Sequence, residues 1–251
     1  MLWYKSWLET RWRFLIGLAL LMCSAGALVL TYPRVQELLP LVPAVDAQGE
    51  LGRRIREAVE LSREYRGFVW AQGFRQNLSQ MGTLFAVLLG TGGLFSSGAA
   101  LFTLSLPATR REQLRVRAAT GLGEWLLLAL VPAVVIVLMS PAIGESYSLG
   151  AALIHGLCLF VAGAVFFSLA VLLSTWFTDV WRPLLIALGI AAAIAVVEQF
   201  SPAAGRGLFA VMSGETYFRS ATVPWFGLAA AAALSAALLY GAAANIEHRD
   251  F

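Results

Sequence analysis

The chain has 251 residues, 59% of them hydrophobic, and 18 basic against 15 acidic side chains give a net charge of +3. Charged residues make up 13%, where a soluble domain carries about a quarter. Lys5 is the single lysine, which excludes a G-x-x-x-x-G-K phosphate loop and an internal Schiff-base lysine, so this chain hydrolyses no nucleotide by that route.

Cys23, Cys158, His155 and His248 have no disulfide or zinc-site spacing, so no structural metal is expected. The sequence has no basic stripe interleaved with aromatics, which argues against nucleic acid as a partner. Charge-free runs cover residues 14–33, 76–109, 125–144, 146–178, 183–197 and 220–246. A helix crossing a bilayer needs about 20 apolar residues, because every backbone group must be bonded internally across the hydrocarbon. The runs predict an all-α polytopic membrane protein, a single transmembrane domain over 1–251, with six spans: Phe14 to Thr31, Leu84 to Leu106, Gly123 to Met139, Ala151 to Ser174, Pro183 to Phe200 and Pro224 to Ala244.

Before the first span, residues 1–13 place Trp3 and Trp7 with Phe14 among Lys5, Arg11 and Arg13, the pattern of an amphipathic helix at headgroup level or of an aromatic belt. Ala25-Gly26-Ala27 fits a signal cleavage site, but the apolar stretch continues through Leu28, Val29 and Leu30, which favours a span. Residues 32–77 form a long loop with an expected amphipathic helix, its stripe drawn from Leu51, Ile55, Val59 and Ser62. Such a helix rests on the membrane surface or caps a translocation path. The second run is Gly-rich, with Gly90, Gly92, Gly93 and Gly98, allowing a bend or a close helix contact.

Phe102 to Ala119 ends a span at Leu106, turns at Pro107, offers Thr109 as an N-cap and continues as a basic helix into the third span. Arg110 and Arg111 suit an acidic groove on a partner protein, or anchor a loop to anionic lipid. Pro132 is expected to kink the third span. Glu124 reads as a headgroup-level carboxylate. Over the whole chain the basic residues divide nine and nine, but three cations precede the first span against Arg34 just after it, and four fill 110–117 against none between Pro141 and Leu149. These flanks place both termini in the cytoplasm.

The stretch "TLSLPATRREQLRVRAATG" after a Gly-rich second span resembles the permease subunits of ATP-binding-cassette exporters of the type-2 class. Further likenesses are the leader "LWYKSWLETRWRF", similar to the family's elbow helix, then "FVWAQGFRQNL", "MSGETYF" with "VPW", and the closing "NIEHRDF". The resemblance implies a bacterial inner-membrane half-transporter in which 107–119 is the coupling helix. A separate ATPase subunit would bind ATP and Mg, and a second permease, identical or different, would complete the dimer. This chain itself is then no enzyme and holds no cofactor. Arg110, Arg111, Gln113 and Arg115 are implied ATPase contacts, and Asp179 and Arg182 fall at the place of the second cytoplasmic contact. Where many relatives carry an acidic residue late in the second span, this chain has Ser96-Ser97-Gly98-Ala99.

Ionisable residues within spans are functional candidates. Glu198 could line a substrate path or pair with Arg206 or Arg219, and His155 bonds a neighbouring carbonyl or takes part in transport. Two other classes remain open. An ion-coupled secondary transporter would show paired midplane charges and repeat-related broken helices. An intramembrane serine hydrolase would pair Ser97 with His155, although Phe95 stands where the usual glycine would be.

Overall fold

A computed structural model describes residues 2–39, 50–92, 109–177, 179–200 and 207–247. These residues are helical, with no strand among them. In chain order the helices are α1 (Leu2–Leu38), α2 (Glu50–Arg63), α3 (Tyr65–Phe68), a π-helical segment (Val69–Leu78), α4 (Ser79–Gly90), α5 (Arg110–Met139), α6 (Leu149–Trp176), α7 (Trp181–Phe200), α8 (Leu208–Met212), α9 (Glu215–Ser220) and α10 (Trp225–Glu247). Five of them, α1, α5, α6, α7 and α10, are long and apolar enough to cross a membrane. The chain is a multi-pass membrane protein.

Side-chain contacts fix the direction of each helix. Thr10 meets Glu124 and Gly26 meets Met139, so α1 and α5 run parallel. Gly17 lies against Phe85 and Gly73 against Leu28, so the continuous helical run 65–90 returns antiparallel to α1. The Trp125 indole N–H donates to the Phe160 carbonyl at 2.9 Å, and Gly121 meets Phe167 while Gly156 meets Leu130, so α6 is antiparallel to α5. The Ser168 and Ser235 hydroxyls share a 2.6 Å bond and the Asn245 amide donates to Thr175 at 2.8 Å, which makes α10 parallel to α6. The described bundle has a near end, where α1 and α5 start and α10 finishes, and a far end holding α2, α3, α8 and α9.

Helix α6 is the hub. Of its most apolar window 72% is buried, against 22% for both α7 and α10. Around it the packing relies on close approach over small residues, the usual device where apolar side chains gain nothing by leaving lipid for protein. Gly163 lets the Trp125 ring approach the α6 backbone closely, and Gly90 meets the Phe167 carbonyl of α6. The outward faces of α7 and α10 expose Leu185, Val197, Phe200, Trp225, Phe226 and Tyr240, as lipid-facing surfaces should.

Two elements differ from the sequence expectations. The leader is not a separate elbow: α1 runs unbroken for 37 residues, and its buried side before Phe14 carries Ser6 and Thr10 while Trp3 and Trp12 face outward. No residue in 2–13 interrupts the helical register, so the leader and the span form one rod. The described part of the expected coupling helix, 109–119, opens α5 and runs without a break into the third span, and α5 stays helical through Pro132. The second span was expected over Leu84 to Leu106, yet the helix occupies 65–90, Thr91 is extended and Gly92 takes φ +129. Residues 93–106 lie outside the described residues.

Candidate functional site

At the near end, Thr109 has extended backbone and its hydroxyl accepts from the Glu112 N–H at 3.3 Å, capping α5. From this cap Arg111 and Arg115 point outward and exposed, Gln113 is half-buried, and Leu114 and Val116 anchor the turn in the bundle. The helix opens at Arg110, whose side chain lies outside what is described. The turn before α7 reaches the same end. There Asp179 accepts from the Arg182 backbone N–H at 3.4 Å and pairs with its guanidinium at 3.1 Å. Both are exposed, so the pair adds at most about 1 kcal/mol to stability. The structure thus gathers Arg111, Gln113, Arg115, Asp179 and Arg182 at one end of the bundle.

Immediately inside this end lies a buried polar cluster. Arg13 of α1 donates to the Leu88 carbonyl at 3.0 Å and the Thr91 carbonyl at 2.5 Å, capping the end of α4. A carbonyl pair at a helix C-terminus carries partial negative charge that a guanidinium complements. Glu124, expected at headgroup level, is only 4% exposed and accepts a 2.5 Å bond from the Thr10 hydroxyl. Arg117 is buried one face-repeat before it on α5 and attracts it electrostatically. One Arg117 guanidinium nitrogen and one Glu124 oxygen have no hydrogen-bond partner among the described residues. Gly92 lies between the two guanidinia: a Cβ there would stand 3.0 Å from nitrogens of both Arg117 and Arg13. These residues join α1, α4 and α5 directly beneath the exposed arginines.

The far end is organised around the π-helical segment. A π register widens the helix by one residue per turn and is frequent at functional sites. Here it turns Trp70 and Phe74 inward together. Trp70 donates its indole N–H to the Ser213 carbonyl at 3.1 Å, and the Nδ1–H of His155 donates to the same oxygen at 3.0 Å. His155 is fully enclosed, stacked on Phe74 at 4.7 Å and met edge-on by Tyr217 at 5.4 Å. Its Nε2 has no partner among the described residues. Trp70 stacks on Phe218 at 4.3 Å, while Arg75 lies over Trp70 and Arg66 over Phe218. Gly214 makes this possible, since its φ of +66 turns the chain and a Cβ would come within 2.5 Å of the histidine ring. At the rim, Tyr147 is buried with its hydroxyl unpartnered, and burial pushes its phenol above the ordinary range.

Glu198 sits apart from His155. Its carboxylate accepts the Phe209 N–H at 3.0 and 3.2 Å, closing the first turn of α8. Arg219 is engaged by Glu57 and Glu215, and Arg206 lies outside the described residues, as do Phe95 and Ser97. Among the described residues no three His, Cys, Asp or Glu side chains are grouped to hold a metal ion. The near-end cluster was missed by sequence reading. Its signal is the Ser6/Thr10 pair at i, i+4 on an otherwise bulky helix, facing the carboxylate of Glu124.

Comparison of the chain with protein-family models, curated proteins and solved structures gives no match.

Proposed function

We propose that the chain is the permease subunit of an ATP-driven exporter, moving a hydrophobic or amphipathic cargo with energy supplied by a separate ATPase subunit. The observation that carries this reading is the near end. There an exposed, N-capped arginine turn on α5 and the Asp179/Arg182 turn lie at the same end of the bundle, over buried polar bonds that tie α1 to both α5 and α4. A turn fixed in this way transmits a push to the bundle instead of absorbing it, and arginine forks suit the carboxylates of a docking groove. On this reading the run 65–90 serves as the sixth crossing, both termini are cytoplasmic, and a second permease completes the unit. ATP and Mg belong to the ATPase partner.

Co-expression with a candidate ATPase and purification in detergent tests the proposal. The wild-type pair is expected to co-elute with ATPase activity. The triple variant R110A/R111A/R115A is expected to lose most of the bound ATPase while keeping its own melting temperature. Full co-elution of a folded triple variant refutes the assigned contact, and a chain that never engages an ATPase refutes the permease reading.

A further inference from the structure

We infer that α2 is the hinged arm of a lid over the aromatic and histidine centre at the far end, joined through the Arg219 latch to α9, the element that covers it. Three independent features support this. The first is a hinge. Helix α2 ends at Arg63, Glu64 alone is extended (φ −100, ψ 135), and α3 begins at Tyr65. The joint closes tightly, because a Cβ on Gly67 would fall 2.3 Å from the Leu61 carbonyl oxygen.

The second is a seat. Tyr32 and Gln36 of α1 donate to the last carbonyls of α2, Tyr32 to Arg63 at 3.2 Å and Gln36 to Ser62 at 2.9 Å. Through these bonds α2 rests on α1 as well as on α3 and the π-helical segment. The third is the latch. Arg219 of α9 bonds Glu57 of α2 at 3.0 Å and Glu215 at 2.9 Å. Residues Tyr217 and Phe218, which contact His155 and Trp70, precede Arg219 on the same short helix. Displacement of α2 therefore pulls on the element that covers the centre. Both Arg219 pairs are exposed, so the latch is weak enough to open and close thermally. The lid does not depend on the exporter reading, since no ATPase enters its geometry.

The test uses the full chain in liposomes, in a Cys23→Ser, Cys158→Ala background. Ser213→Cys, at a site 1% exposed, reports opening through its reaction rate with a membrane-impermeant maleimide. Severing one exposed ion pair by Glu57→Ala is expected to raise that rate about two- to fivefold. Removing both pairs by Arg219→Ala should raise it about three- to tenfold, and Arg219→Lys, which keeps the charge, should fall between Arg219→Ala and the parent. Unchanged labelling in Glu57→Ala and Arg219→Ala overturns the lid. A rise in Arg219→Ala with none in Glu57→Ala also overturns it, because Arg219 would then only hold α9 in place. Glu57 is on the surface, so the single variant Glu57→Ala keeps the test decisive even where Arg219→Ala fails to fold.

Discussion

Glu124→Ala probes the near-end cluster most directly. The carboxylate is 4% exposed, bonded to Thr10 at 2.5 Å, and provides negative charge close to the buried Arg117. Removing it deletes a hydrogen bond to a charged group, a loss of about 1.5–3 kcal/mol. Arg117 draws more favourable charge from Glu9 than from Glu124, so the loss at Arg117 adds little. A total of about 1.5–3 kcal/mol is expected, a fall of roughly 3–12 °C in melting temperature at about 2–4 °C per kcal/mol for a chain of this size. Glu124→Gln keeps an acceptor for Thr10 and should fall in between. Thermal unfolding in one detergent, followed by tryptophan emission, measures all three. A Glu124→Ala variant as stable as wild type would refute the claim that the buried Thr10–Glu124 bond stabilises the near end.

Gly163→Ala should destabilise by about 1–3 kcal/mol, because its Cβ would lie 2.3 Å from the Trp125 ring; a melting temperature equal to wild type would show that the α5–α6 contact is looser than described. Trp70→Phe removes one of two donors to the Ser213 carbonyl and should cost about 1 kcal/mol in the same assay, the His155 bond remaining. Tyr147→Phe should be neutral or stabilising, because the buried hydroxyl has no partner to lose. The parent also has an alkaline signature: Tyr147 binds its proton more tightly folded than unfolded, so its contribution is complete below the ordinary phenol pKa of about 10 and declines as pH rises above it. A melting profile from pH 8 to about 11.5 should show a shallower alkaline decline in Tyr147→Phe than in wild type.

Uncharged runs located five apolar helices because lipid and burial both select against charge, and for α6, α7 and α10 the helix follows the run closely, while α5 begins at Arg110, well upstream of its run. The run 76–109 misled for a physical reason. The helix begins at Tyr65, upstream of the run, where Arg66 and Arg75 are tolerated because their guanidinia lie over the Phe218 and Trp70 rings. It ends at Gly90, well before the run does, because Gly92 adopts a conformation only glycine enters freely. The leader misled in a related way. Its aromatic and basic residues suggested a separate helix at headgroup level or an aromatic belt, but the leader continues the span's rod, and its buried stripe is marked by the small polar residues Ser6 and Thr10. The amphipathic helix over 50–63 was legible, whereas its link to Arg219, a partner 162 residues away, was not.

The two ends of the bundle are mechanically connected through α6, and this follows from where its contacts fall. At its start His155 holds the Ser213 carbonyl together with Trp70; at its end Phe167 packs on Gly90 and Gly121, beside the α4 terminus that Arg13 caps. A helix enclosed over 72% of its apolar window has little freedom to bend, and close-packed interiors pass displacement on to their neighbours. The straight α-helical part of the run 65–90 lies parallel to α6 over the same length, while its far-end portion is π-helical, where the ladder of hydrogen bonds is weakest. A push at the near end therefore reaches the far end with α4 and α6 moving together, and the strain collects in residues 69–78. That is where Trp70 and Phe74 hold the histidine centre, and hydrogen exchange of the amides in 69–78 should be faster than in 79–90 at equal burial. Equal protection across the Leu78/Ser79 junction would remove the π segment from this chain of transmission.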